Sequence, residues 1–284
     1  MNHCIICGSN NYVRINTTTA FGAPLDNVKC VDCGLCYLHG HPSTLKRIMD
    51  KHYTAEFYNK YSENRSASAW YNLYVWFIEK TGLKYATAMS QYAFLKPFLK
   101  NQNTVLDVGC GLGQALHVLE TKGFAVTGLE LDKTVIKDIN SKLIKGKCLY
   151  ATLEDFSEKS RKKYDIIFVS HTFEHFIDPT EALADFSRLM HTNSLLFIEV
   201  PNRDNKAIMH RSITESAHTF HFSRKTIKKI LNKNGFEIIK MSTCSNKFSY
   251  EPKLWTYTKY LLGSDISVYG RNEGYLRLVA QIKK

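Results

Sequence analysis

The spacing of apolar positions along this chain changes character near residue 101. Beyond it, short apolar runs alternate with stretches whose apolar residues recur every three or four positions. The runs at 104–108, 125–130, 148–150, 164–170, 194–200 and 236–242 predict strands, and 277–282 predicts a last one, antiparallel at an edge. The intervening segments 114–122, 133–143, 179–190 and 224–234 predict amphipathic helices. Strands alternating with helices of this length imply a Rossmann-like α/β fold, a parallel sheet covered on both faces that binds ligands at the carboxyl ends of its strands. Residues 42–100 read differently. Leu45, Ile48 and Met49 share one helical face, and a longer helical stretch runs from 67 toward 99, punctuated by Gly82 and Pro97. Residues 1–41 hold five of the eight cysteines and too few apolar residues to build a core alone. The expected organisation is therefore a small N-terminal module at 1–41, a helical linker or lid at 42–100 and the α/β domain at 101–284.

Composition adds little to this picture. With 284 residues, 44% hydrophobic and 23% charged, the whole chain is expected to fold. No apolar run approaches the roughly 20 residues of a membrane span, and the richest, 70–78, is interrupted by Asn72. The start Met1-Asn2-His3-Cys4 lacks a basic segment followed by an apolar one, so a cytoplasmic protein is expected. The net charge of +12 raises the question of a polyanionic partner. The basic residues are spread over 142–147, 159–163, 224–233 and many other segments, which reads as solvated helix surface rather than a dedicated nucleic-acid patch.

In a reducing compartment, cysteines are more often metal ligands or buried apolar groups than disulfides. Cys4-x-x-Cys7 and Cys30-x-x-Cys33 form two knuckles, each followed by a glycine, Gly8 or Gly34. Four thiolates on two tight turns suit tetrahedral Zn²⁺, whose closed four-sulfur sites are structural and supply folding energy to small units. The module is thus expected to be zinc-ribbon-like. Cys36 is a surplus thiol, and His3, His39 and His41 are alternative ligands; all are read as loop residues.

Glycines at alternate positions mark the end of the 104–108 strand, in Val105-Leu-Asp-Val-Gly-Cys-Gly-Leu-Gly113. Such a strand-to-helix loop turns sharply and lets backbone approach a ligand closely. The spacing G-x-G-x-G differs from the G-x-G-x-x-G of dinucleotide sites. Gly109, Gly111 and Gly113 therefore fit a small zwitterionic ligand better than a pyrophosphate, and Asp107 can meet its cationic amino group. Glu130 ends the next strand, where such folds accept two ribose hydroxyls. Cys110 reads as a small buried side chain without an adjacent base.

The segments "VLDVGCGLGQ", "VTGLELD", "YDIIFVSHTFEHFIDP" and "LLFIEVPN" resemble the successive motifs of class I S-adenosylmethionine-dependent methyltransferases, over roughly residues 101–240. The resemblance implies a seven-stranded sheet. It implies that Asp107 and the loop from Gly109 through Cys110 and Gly111 to Gly113 hold the methionine part of the cofactor. Glu130, with Leu131 beside it, would take the ribose. The segment Thr152-Leu153-Glu154-Asp155 would line the adenine, and Ser170 and His171 would end the fourth strand beside the sulfonium. Many relatives carry aspartate where Thr152 stands, so Leu153 and Glu154 would contribute through backbone and packing. Glu174 and His175 have two readings, contact with substrate or cofactor and a helix-start motif that fixes the loop.

The segment Ser216-Ala-His-Thr-Phe-His-Phe-Ser223 is similar to the "H-E-H-x-x-Y-F-S" region of zinc-containing sugar methyltransferases, and the N-terminal cysteine pattern resembles theirs too. An alcohol acceptor must lose a proton, and His218, on the second histidine of that motif, is the candidate base, with His171, His175 and His221 as alternatives. Ser216 and Ala217 replace the motif's His-Glu pair and His221 its tyrosine; the extra C-terminal domain of the longer C-methyltransferases is absent. These departures point to O-methylation of a small-molecule or glycan acceptor, a sugar, nucleotide-sugar or surface-glycan precursor. An RNA methyltransferase, since some of those carry an N-terminal zinc module, and a non-catalytic binding protein keeping the fold are the alternatives.

Overall fold

The computed structural model describes residues 3–20, 22, 24–52, 83–215, 217–245, 258 and 265–283. In chain order the first elements are β1 (Tyr12–Thr18), β2 (Leu25–Cys30), β3 (Cys36–His39) and α1 (Pro42–His52). Then come α2 (Ala86–Leu95), β4 (Thr104–Val108), α3 (Gln114–Thr121), β5 (Ala125–Glu130), α4 (Lys133–Lys142) and β6 (Lys147–Tyr150). After these run α5 (Leu153–Lys159), β7 (Tyr164–Ser170), α6 (Pro179–Arg188), β8 (Met190–Pro201) and α7 (Lys206–Thr214). The last are β9 (Phe220–His221), α8 (Arg224–Lys233), β10 (Phe236–Ser245), β11 (Val268–Gly270) and β12 (Tyr275–Ile282). The chain has the Rossmann-like α/β arrangement that its alternating pattern predicts. It divides into two compact units, Met1–His52 with Ala151–Ser245 and Tyr269–Lys284, and Tyr53–Tyr150 with Asn246–Val268.

In the second unit β4, β5 and β6 are parallel neighbours, with Asp107 opposite Gly128 and Glu130 opposite Tyr150. Residues Val105 to Val108 are all buried, as expected of a strand covered on both faces. Helix α4 begins where Asp132 accepts hydrogen bonds from the Thr134 and Val135 amides at 2.8 and 3.1 Å. Pro97 lies in a one-turn helix, Lys96–Phe98, immediately after α2. The part of the expected long helix before residue 83 lies outside the described residues.

In the first unit β7 and β8 are parallel, while β12 runs antiparallel to β8 and β10 antiparallel to β12. A separate antiparallel sheet runs β1-β2-β3-β9, so a strand from residue 220 completes the N-terminal module. Strand β8 starts at Met190, where the sequence pattern continues the preceding helix. The early start is absorbed by an irregularity opposite β7, which pairs Tyr164 with Met190 and then Ile166 with Leu195. Ser194 holds it, accepting from the His191 amide and donating to the Tyr164 carbonyl, each at 2.7 Å. Helix α7 escaped the sequence reading because it buries only Ser212, so its apolar periodicity is weak. Among the described residues, no helix is long and apolar enough to cross a membrane.

Candidate functional site

The glycine loop of the second unit turns on three left-handed residues, Gly109, Gly111 and Gly113, at φ of 69°, 54° and 72°. At Gly113 a side chain is doubly excluded: beyond the φ, a Cβ would stand 2.8 Å from Ile139. The Gly109 and Cys110 amides both donate to the Leu129 carbonyl at 3.0 Å, which ties the loop to the end of β5. Glu130 is buried and accepts from the amides of Gly111 (2.9 Å), Leu131 (2.7 Å) and Asp132 (3.2 Å). Burial raises its pKa while those amides hold it down. Asp107 is 2% exposed, its Oδ2 has no hydrogen-bond partner, and burial, helped by the Glu130 charge, pushes its pKa up to about 8. A buried acid in this state favours a cationic group beside it. Leu112 and Leu131 are apolar yet 52% and 44% exposed, flanking the carboxylates with apolar surface. Cys110 lies 3.5 Å from Cys148, sulfur to sulfur, and the contact with that thiol and burial raise its pKa, so it is an unreactive thiol.

In the first unit the Sγ atoms of Cys4, Cys7, Cys30 and Cys33 all lie within 4.8 Å of one another, Cys4–Cys33 at 3.4 Å and Cys7–Cys30 at 3.5 Å. Four ligands about 2.3 Å from a tetrahedral Zn²⁺ stand about 3.8 Å apart, so this group could chelate a metal. Both knuckle turns are closed by backbone, the Gly8 amide donating to the Cys4 carbonyl at 2.7 Å and the Gly34 amide to the Cys30 carbonyl at 3.0 Å. Cys36, buried at the start of β3, lies outside the group.

The histidines singled out in the sequence all belong to the first unit and fall into two kinds. His171, at φ 53°, has Nδ1 3.5 Å from Glu174 Oε1 and Nε2 3.4 Å from Glu199 Oε1. Desolvation favours its neutral ring, but the two carboxylates outweigh it and push its pKa up to about 10. Glu199 also pairs with Arg277, both side chains about 1% exposed. Burial opposes ionisation of Glu174 and Glu199, yet His171 brings Glu174, and Arg277 followed by His171 brings Glu199, down to about 2. His175, His218 and His221 are neutral. His175 donates Nδ1–H to the Ala217 carbonyl at 2.9 Å, and burial lowers its pKa. Burial likewise takes His218 down to about 4 and His221 to about 3. Ser212 Oγ bridges the Nδ1 atoms of His218 and His221, 2.7 Å from each, and His221 Nε2 is 2.9 Å from Asn27 Oδ1.

One nitrogen each of His175 and His218 and a Glu174 oxygen lie within 4.8 Å of one another, a donor set that could hold a proton or a metal ion. Neither oxygen of Glu174 has a hydrogen-bond partner. Thr152 caps α5, accepting from the Asp155 amide at 3.0 Å, so Leu153 and Glu154 lie in its first turn. Leu153 is buried, and the exposed Glu154 carboxylate stands 3.9 Å from Lys46. Ser170 ends β7. Ser216 lies outside the described residues. Sequence reasoning passed over Glu199, Arg277, Ser212 and Asn27. The first two carry a legible signal, a single charge inside an otherwise apolar strand, in LLFIEVP and YLRLVA.

Comparison with known proteins places these features in a family. The methyltransferase-domain family matches residues 81–241. The chain is 28% identical over 109 residues to the ubiquinone biosynthesis O-methyltransferase of Vibrio atlanticus, covering 37% of this chain and 46% of that one. It is 30% identical over 121 residues to that of Hydrogenovibrio crunogenus, covering 41% and 50%. The chain thus spans about half the length of the curated relatives it matches. A crystal structure of a SAM-dependent methyltransferase from Archaeoglobus fulgidus shares the fold, with a TM-score of 0.54 at 21% identity, over 73% of this chain and 99% of that one.

The two kinds of histidine have opposite consequences for stability. His218 and His221 are neutral when folded but protonate near pH 6.5 when unfolded, so stability falls as pH drops from about 6.5 toward 4 and 3, by at most about 1.4 kcal/mol per pH unit for each ring. Glu174 and Glu199 add to the loss below about pH 4.5, since their stabilisation disappears as pH falls toward 2. His171 acts in the other direction: its contribution is complete below about pH 6.5 and is lost as pH rises through about 10. Urea midpoints across pH 4.5–9 should therefore peak near pH 6.5, and His221→Gln should flatten the acid limb. An acid limb as steep in that variant as in the parent would refute the buried neutral ring.

Proposed function

The chain belongs to the methyltransferase-domain family, and from that premise we propose that it transfers a methyl group from S-adenosylmethionine to a hydroxyl of a sugar, nucleotide-sugar or surface-glycan precursor. The observation that carries the donor half is Asp107, buried, raised to about 8 and lacking a partner on Oδ2, beside a second carboxylate and a left-handed glycine loop. A ligand ammonium satisfies Asp107 and returns it to its ionised form. Glu130 keeps a lone pair on Oε2 beyond its three amide bonds, room for a ribose hydroxyl, and Leu131 offers apolar surface to the attached base. By the sequence resemblance, Leu153, Glu154 and Ser170 are also assigned to the donor. When bound, S-adenosylmethionine supplies an electrophilic methyl group on a sulfonium.

A hydroxyl acceptor is supported by the relatives, named as O-methyltransferases, and the sugar by the likeness of the segment around His218 to the sugar enzymes. His218 is assigned as the base. It is uncharged at neutral pH, and Glu174 beside it favours the imidazolium that forms when it takes the acceptor's proton. His175 shares this environment. His171, protonated between two carboxylates, lacks a lone pair and is assigned the electrostatic role of holding Glu174 in place. Zn²⁺ is assigned to Cys4, Cys7, Cys30 and Cys33, where it would cross-link the two knuckles and contribute folding energy.

Three measurements test these assignments. Calorimetry should detect S-adenosylmethionine binding that Glu130→Ala weakens by roughly 1 to 3 kcal/mol; tight NAD binding with no response to S-adenosylhomocysteine would overturn the donor assignment. His218→Gln should lower turnover of a sugar acceptor by about 100-fold to 10,000-fold with cofactor affinity nearly intact, and turnover within a few-fold of the parent would move the base elsewhere. Elemental analysis should find about one zinc per chain, lost in Cys30→Ser; full occupancy after both knuckles are removed would end the zinc reading.

A further inference from the structure

We propose that Asn27, Ser212 and His221 form a hydrogen-bonded relay that fixes the tautomer of His218, so that the N-terminal sheet sets which nitrogen of that ring can accept a proton. The relay deepens the assignment of His218 as the base and rests on it for its role in the reaction.

The direction of every bond in the relay follows from groups that can act in only one way. The Ile213 carbonyl can only accept, so the Asn27 atom 3.2 Å from it is the amide nitrogen. Asn16 donates to the same carbonyl at 3.0 Å, which uses both of its lone pairs and holds it in place. The remaining Asn27 atom is therefore the carbonyl oxygen, and His221 Nε2, 2.9 Å away, must carry a proton. His221 is 3% exposed and faces His218, His175, Arg203 and Glu174; burial, first, together with the Arg203 charge, outweighs Glu174 and keeps it neutral. A neutral ring has one N–H, so His221 Nδ1 accepts, and its donor is Ser212 Oγ. A serine hydroxyl has one proton. With that proton committed to His221, Ser212 Oγ can only accept from the Nδ1–H of His218, 2.7 Å away. The lone pair of His218 is thereby assigned to Nε2.

The four residues come from four places in the first unit: Asn27 from β2, Ser212 from α7, His221 from β9 and His218 from the loop before it. Asn27 is 1% exposed and faces Leu38 of β3, three residues before Cys30. Ser212 is the one buried residue of its helix. Reversing one donor would reverse the rest and put the proton of His218 on Nε2, where it would block acceptance of another. Asn27, Ser212 and His221 are thus positioning residues that act through His218.

The test reads tautomers directly. Two-bond proton–nitrogen NMR spectra of the full chain labelled with nitrogen-15 histidine should show His221 as Nε2–H and His218 as Nδ1–H. Asn27→Asp places a carboxylate against His221, favouring its doubly protonated ring; Ser212 then turns its proton to His218, which becomes Nε2–H. Turnover should fall by about 100-fold to 10,000-fold while S-adenosylhomocysteine affinity stays within a few-fold of the parent. Should Asn27→Asp fail to fold, the serine pair decides. Ser212→Thr should keep the parental tautomers and turnover, and Ser212→Ala should give a mixed His218 tautomer and lower turnover at least about tenfold, a partial loss of the general-base contribution. An Nε2–H form of His218 in the parent, or a single unchanged Nδ1–H form in both Asn27→Asp and Ser212→Ala, would overturn the relay. If the tautomers respond as stated while His218→Gln turns over like the parent, the relay holds and the assignment of the base fails.

Discussion

A carboxylate within the buried stretch of β8, residues 194–200, is the constraint on which the first unit depends. Glu199 lies in β8 between Ile198 and Val200, all inaccessible to solvent, and an unpaired charge there is not tolerated. Arg277 answers it from directly across the β8–β12 ladder. That pair fixes the register, because a slip of one residue would turn Arg277 to the opposite face and leave Glu199 uncompensated. Breaking such a buried pair costs about 3 to 5 kcal/mol, mostly as the penalty on the charge left behind. His171 supplies the second counter-charge. To reach Glu199 and Glu174 together it takes a left-handed backbone conformation, a strain of about 1 to 3 kcal/mol that a non-glycine residue bears only when its surroundings demand it.

The result is an alternating row, Glu174, His171, Glu199 and Arg277, in which charges of opposite sign balance. Beside it stand His175, His218 and His221, which burial keeps uncharged. Four histidines thus divide into one charged ring and three neutral ones by environment alone, and Glu174 borders both kinds. Its negative charge is balanced by His171 on one side, while its side chain remains near the basic nitrogens on the other. This division makes proton acceptance at the neutral rings chemically reasonable at ordinary pH.

The N-terminal module is built into the same unit by several bonds. β3 pairs with β9, the Leu38 amide donates to the Thr219 carbonyl at 2.9 Å, and Lys233 of α8 donates to the carbonyls of Ile5 and Ile6 at 3.2 and 3.0 Å. The module has few apolar residues of its own, so its thiol cluster and this docking both bear on its stability. Docking also brings Asn27 to His221, which gives a region far from the glycine loop in sequence a direct connection to the histidines.

Much of this was already written in the sequence. Strands β4 to β8, β10 and β12 followed from apolar runs, and the glycine loop, Asp107, Glu130 and the paired knuckles from local spacing, because each depends on residues close along the chain; β1, β2, β3, β9 and β11 did not, and Cys36 and His39, read as loop residues, bound β3. The start of β8 did not, since an irregular pairing with β7 overrode the local helical pattern. Helix α7 did not either, having almost no buried face. Among the histidines, the sequence marked candidates but could not assign their charge. Which ring is protonated depends on Glu199, Arg277, Asn27 and Ser212, contributed by strands and helices up to about 250 residues apart (Asn27 to Arg277) and brought together only on folding. Protonation is decided by desolvation and by hydrogen-bond direction in three dimensions, and neither is carried by the spacing of residues along a chain.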